Sequence, residues 1–304
     1  MIRYVPHTEI DKAKWDLCID QSVNGIIFAY SWYLDIVSEE WGALIAGEYE
    51  VVMPLPLRKK WGINYIYTPF FLNQLGVFSM QPITAALVDE FLANIPATFR
   101  YIDLSLHHSN STTRSDFKIE QRTIQEIDLN KNYEQIQKEY SENLKRNLKK
   151  AEKNGLQITP NIQPEPVVDI FRIAQGESLE VFKKRDYTHL LRLMQTLIQK
   201  GMGEAIGVYS AKNELLAAAC FMKSHKRIIY LKGAANEKGK AVGAMHFLMD
   251  NYIRENASKY LIFDFGGSSV ESLARFNNSF GSKETVYLHI KRNNLPKFVR
   301  WLKD

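Results

Sequence analysis

The chain of 304 residues has 45% hydrophobic and 24% charged side chains, an ordinary globular mix that excludes a disordered or fibrous protein and fits two domains. Its 39 basic and 34 acidic side chains leave a formal charge of +5, a mild excess that favours anionic ligands without marking a dedicated nucleic-acid binder. Cys18 and Cys220 stand outside any metal-ligand spacing, acidic residues occupy the place of a signal peptide's apolar core, and no run approaches the ~18 apolar residues of a membrane span, so a cytoplasmic protein with no structural disulfide is expected.

In chain order, residues 46–67 (AGEYEVVMPLPLRKKWGINYIY) read as a polar tip, an apolar strand from Val51 to Leu57, a basic turn at Lys59, Lys60, Trp61 and Gly62, and an aromatic strand with Tyr65. A helical stretch from Pro82 to Ile95 follows, then a short strand, Tyr101 to Leu104, bearing Asp103. Residues 132–155 predict an amphipathic helix stopped by Gly155, with Leu144, Leu148 and Ala151 on one stripe. Lys145, Lys149 and Lys153 line another face with Arg146 and Lys150 beside it, which reads either as a solvated face or as a surface for an anion or RNA. Between Asn154 and Tyr209 there is room for one strand and two helices.

Residues 211–232 (AKNELLAAACFMKSHKRIIYLK) then lie without gaps over 46–67 at a constant offset of 165, with the strand Leu215 to Phe221, the turn Ser224 to Arg227, and Tyr230 matching Tyr65. The parallel continues through a helix, Ala241 to Ala257, where Met245, Leu248, Met249, Tyr252 and Ile253 recur at helical spacing, and a strand, Ile262 to Phe265, bearing Asp264. A final strand runs from Glu284 to Lys291. Duplication predicts two α/β units, each a mixed sheet with helices on its faces, over residues 1–130 and 131–293. Residues 294–304 are expected to form a short helix after Pro296 that returns to the first unit.

The stretches LKRNLKKAEKNGLQI (144–158), KYLIFDFGG (259–267) and RFNNSFG (275–281) resemble the Fem family of N-acyltransferases. That family makes peptidoglycan cross-bridges from aminoacyl-tRNA and belongs to a wider set of proteins with two tandem acetyltransferase (GNAT) folds. The resemblance implies a tandem GNAT-like architecture. It also implies a donor-side role for Phe276 and Asn277, which stand where the family usually has an aromatic–Lys pair, so the expected cation is missing. The long helical arm of some members is absent as well, and the chain looks more like the compact members.

In the GNAT fold the pyrophosphate of coenzyme A meets backbone N–H groups where the fourth strand gives way to a helix, because a helix start offers free donors and the positive end of its dipole. The family's (Gln/Arg)-x-x-Gly-x-(Gly/Ala) loop is matched by Asn236, Gly239 and Ala241, with Lys238 and Lys240 adding charge. A surface loop is expected here, so that Gly239→Val weakens donor binding and leaves the fold intact. The equivalent stretch of the first copy, residues 68–83, carries no charge and is assigned to an acceptor site or interface formed by Arg58, Lys59, Tyr67, Asn73 and Gln74.

Acyl transfer to an amine needs a neutral nucleophile, a polarised carbonyl and a proton for the leaving group. The expected parts are a backbone N–H near Tyr230 to Gly233, a proton from Tyr230 or Tyr287, and Asp264 as acceptor of a proton from the incoming ammonium. Packing is the competing role for the tyrosines and a helix cap near Ser268 for Asp264. The adjacent His107 and His108 lack a zinc motif, Cys220 sits in an apolar run, and no phosphate-binding P-loop or serine-hydrolase elbow occurs. The expected activity is N-acyl transfer from an acyl-CoA or aminoacyl-tRNA co-substrate to a small-molecule or peptide amine, with tRNA reached through residues 144–153 and no metal. The alternative is a binding protein that keeps the fold without turnover.

Overall fold

The computed structural model describes residues 1–60, 62–175, 182–267 and 271–296. The chain divides into two compact units, Met1–Thr123 with Val286–Asp304, and Ile124–Thr285. Set beside the boundaries expected from sequence, the first division falls earlier and most of the last strand belongs to the first unit.

The first unit contains β1 (Ile2–Val5), α1 (Lys12–Gln21), α2 (Ser31–Val37), β2 (Glu40–Ala46), β3 (Val51–Lys60), β4 (Ile63–Tyr67), β5 (Phe78–Ser79), α3 (Ala85–Ala93) and β6 (Tyr101–Ser105). Asp11 starts α1 by accepting the N–H groups of Ala13 and Lys14, and Thr84 starts α3 by accepting that of Leu87. β1 to β4 form an antiparallel meander, and β6 then joins β4 in parallel. Pro54 and Pro56 are tolerated inside β3 because its second edge is paired only near its ends, by β5 at Val51–Val52 and by β4 at Leu57–Lys60. Trp15, Tyr33, Trp41, Phe78 and Phe91 are fully buried in this unit's core.

β7 (Lys118–Asp128) leads into the second unit, which continues with α4 (Tyr133–Lys138), α5 (Glu142–Lys153), β8 (Gln157–Thr159), α6 (Pro164–Gln175), α7 (Lys184–Gln199), β9 (Gly203–Tyr209), β10 (Leu215–Ser224) and β11 (Arg227–Ala235). α8 (Glu237–Val242), α9 (Ala244–Asn256), β12 (Ile262–Asp264) and α10 (Glu271–Asn278) complete it, and β13 (Lys283–Asn293) begins at its end and runs on into the first unit from Val286. β8 to β11 are antiparallel neighbours, β12 joins β11 in parallel, and Glu126 to Asp128 of β7 pair antiparallel with β12. The first unit shows the same order, with β13 antiparallel to β6 through His289 to Asn293.

The one helix expected over residues 132–155 is two, because Ser141 caps a new start at Glu142 by accepting the N–H of Leu144. The helix expected from Ala241 is likewise divided by Gly243, whose φ of 75° is left-handed. The two hairpins are both present but slip in register. Their closing pairs are Lys60–Ile63 and Ser224–Arg227, so Tyr65 faces Arg58 whereas Tyr230 faces Phe221. The gapless alignment therefore makes these tyrosines equivalent in sequence but not on the ladder, where a one-residue slip exchanges faces. Leu295 packs with Tyr65 and Tyr101 in the first unit, while residues 297–304 of the expected C-terminal helix lie outside the described residues.

Candidate functional site

In the second unit β11 and β12 run together only from Arg227–Ile262 to Ile229–Asp264. β11 then continues to Ala235 without a partner on that edge among the described residues, and β12 ends. A bulge at Leu231 accompanies the parting, since Phe221 pairs with Tyr230 and Cys220 with Lys232. Open backbone at the carboxyl end of parallel strands is where α/β sheets accept ligands.

β11 runs directly into α8 through Asn236. Its side-chain oxygen accepts the N–H of Gly239 at 2.8 Å and its amide donates to the Leu215 carbonyl at 2.8 Å, so one residue both caps the helix and ties it to β10. Gly239 is buried, and a Cβ there would lie 2.1 Å from the Leu216 carbonyl oxygen. The expectation of a surface glycine, free to be replaced without cost to the fold, is thereby overturned: backbone packing demands it. Lys238 pairs with Glu214 at 3.0 Å and Lys240 with Glu237 at 2.7 Å, and Ala241 is exposed. Both pairs lie at the exposed surface, where such contacts are weak.

Asp264 is fully buried. One oxygen accepts the N–H of Gly266 at 2.6 Å and the other meets the Arg227 guanidinium at 3.3 Å. Arg227 also pairs with Glu126, whose second oxygen accepts the Thr285 hydroxyl at 2.5 Å. Burial pushes the Asp264 carboxyl up to about 6, with Arg227 opposing the rise and Glu126 adding to it. The Tyr230 hydroxyl donates to the Gly233 carbonyl at 2.9 Å, and burial raises its pKa. Tyr287 is buried on β13 in the first unit.

Phe276 packs against His246, at 4.8 Å between ring centroids, and Phe280. Burial pushes the His246 imidazole down to about 4, so it is neutral at pH 7. Asn277 is buried and donates to Gln125 Oε1 at 2.7 Å, which places it in the core. Restoring the expected cation with Asn277→Lys should strand a charge there and cost on the order of 3 kcal/mol, read as a lowered urea midpoint. An unchanged midpoint would contradict this placement.

In the first unit β4 and β6 also part, after Tyr67–Asp103, and meet again only at Leu75–Leu106. The loop between holds Asn73 and Gln74. Gln74 is fully buried; its oxygen accepts the His108 N–H at 2.8 Å, which leaves its NH2 group, like Asn73 Oδ1, without a hydrogen bond among the described residues. Arg58 stacks 5.8 Å from the Tyr67 ring, and Lys59 is exposed beyond it. Asp103 accepts from Tyr101 at 2.9 Å and lies 3.2 Å from His289, whose other nitrogen meets the Ser105 hydroxyl at 3.0 Å. Burial opposes ionisation of Asp103, but His289 and Tyr101 outweigh it and hold its pKa below the usual value. Sequence reading singled out neither His289, far off in the chain, nor Arg227, counted only as part of a basic turn. Among the described residues no group of His, Cys, Asp and Glu is disposed to hold a metal ion, and no helix is long and apolar enough to cross a membrane.

No protein-family model matches the chain, and no curated protein matches it by sequence. Solved structures match along nearly its whole length. FemX superposes with a TM-score of 0.69 at 14% identity, covering 97% of this chain and 99% of that one. L-PGS from Bacillus licheniformis does so at 0.58 and 12%, covering 96% and 95%, and a tandem GNAT protein from the clavulanic acid biosynthesis pathway at 0.51 and 10%, covering 98% and 100%. The chain thus has the mixed α/β fold of tandem GNAT-like proteins. In fold it is similar to FemX.

Proposed function

We propose that the chain is an N-acyltransferase whose second unit binds the acyl donor. The observation that carries this reading is the parting of β11 and β12 after Ile229–Asp264, with the free edge of β11 leading straight into the capped start of α8. The donor's acyl arm enters the split, its carbonyl is polarised by a backbone N–H between Tyr230 and Gly233, and its phosphate lies against the first turn of α8. The acceptor amine attacks that carbonyl directly and releases a proton to solvent as the amide forms; the carbonyl's bond to the donor's thiol or ribose oxygen breaks, and Tyr230 donates a proton to that leaving group and is reprotonated from solvent. Asp264, buried and held by Arg227 and Gly266, acts by positioning the end of β12. Within the first unit, Arg58, Tyr67, Asn73 and Gln74 are candidate residues for binding a small molecule or peptide.

The donor is an acyl-CoA or an aminoacyl-tRNA. α5 packs beside α8 and α9, and a Cβ on Gly243 would come within 2.9 Å of the Asn147 carbonyl. Its Arg146, Lys149, Lys150 and Lys153 are exposed, whereas Lys145 is tied to Glu142 at 2.8 Å. Calorimetric titration with each donor at two salt concentrations tests the reading. Replacing the four exposed cations by Ala should weaken tRNA binding about tenfold or more and flatten its salt dependence, with a smaller effect on coenzyme A. If neither donor binds the unmodified protein, the reading fails.

A further inference from the structure

Lys232 lies on β11 just past the bulge, opposite Cys220. It is half-buried, and its Nζ stands 5.7 Å from the centroid of Phe171 on α6, the helix that covers this part of β11. Phe171, Phe182 and Tyr187 form an aromatic cluster with centroids 5.9 to 6.3 Å apart. Among the described residues no carboxylate, carbonyl or hydroxyl meets the ammonium, and burial alone lowers its pKa. Cys220 supplies no counter-charge, because burial pushes its thiol up to about 12. The contrast with nearby lysines is plain: Lys223, Lys238 and Lys240 each rest on a carboxylate.

Removing a cation from water without a counter-charge is costly, and a methionine would suit these aromatic neighbours at no such cost. The position also adjoins the edge of β11 that β12 leaves free. We propose that Lys232 anchors an anion site on the α6 face of the second unit, taking a carboxylate or phosphate group of a substrate. Lysine suits either, as a compact charge with three donors on a flexible stem. The site does not depend on the acyl-transfer reading, which coenzyme A and tRNA titrations test separately.

The full chain carrying ¹³C-methylated lysines is titrated with succinate, with inorganic phosphate, and with chloride at matched ionic strength. The Lys232 resonance is assigned by its loss in Lys232→Met. Saturable movement with succinate alone identifies a carboxylate, with phosphate alone a phosphate, and with both a general oxyanion site, and each of these supports the proposal. Lys232→Met should keep or raise Tm. No saturable movement, or movement equal to that in chloride, overturns the site. A Tm lowered by several degrees in Lys232→Met also overturns it, since the ammonium then stabilises the fold through a partner within the chain.

Discussion

Gly239→Val is expected to destabilise the second unit by about 3 kcal/mol or more, lowering its Tm by roughly 6–12 °C for a unit of this size. Even a methyl group would lie 2.1 Å from the Leu216 oxygen and 2.8 Å from its carbon, both backbone atoms of β10. β10 cannot withdraw without breaking its ladders to β9 and β11, so α8 must lift away from the sheet. Lifting it also strains the Asn236 bonds to Leu215 and Gly239. Thermal unfolding followed by circular dichroism reads this effect, and a Tm within about 2 °C of the parent would show that α8 is not packed as described. A donor-binding assay on this variant thus reports on folding, and Lys238 or Lys240 is the better probe of phosphate contact.

The second large effect concerns Arg227, which stands between the carboxylates of Glu126 and Asp264. Arg227→Met should cost about 3–5 kcal/mol at pH 7, because the buried Asp264 and the partly buried Glu126 lose their shared cation. The loss should be smaller at pH 5. The Asp264 carboxyl has its pKa raised from an ordinary 3.8 to about 6, so between these values the folded state holds a proton that the unfolded state has released. The contribution of this group to stability therefore grows as pH falls through 6 and is lost as pH rises, by up to about 3 kcal/mol over the window.

Asp103 and Asp116, whose pKa values are lowered, give the opposite slope, so the comparison is made between the parent and Asp264→Asn. The variant keeps an oxygen for the Gly266 N–H and removes the charge. Its stability relative to the parent should be greatest near pH 8 and fall steadily toward pH 4. Urea unfolding across this range gives the difference directly. A constant difference would mean that Asp264 is ionised throughout, and that its carboxylate is available for chemistry at neutral pH.

The periodicities that define the elements are local, and the sequence alone determined them. The short apolar runs Val51–Leu57 and Leu215–Phe221, the helical spacing through Tyr252 and Ile253, and the order of elements in both copies were enough for a tandem mixed α/β fold. The Asn236-to-Ala241 loop was also readable, because a cap residue and a glycine at fixed spacing mark a strand-to-helix turn. What that glycine touches was not, since the Leu216 carbonyl reaches it across the sheet. Only the tertiary structure decided that Asn277 faces inward to Gln125, that Arg227 serves two carboxylates, and that Lys232 lacks a counter-charge among the described residues. Each depends on partners far apart in the chain and on a ladder register whose slip by one residue turns a side chain to the other face. Charge and burial become chemistry only once those partners meet.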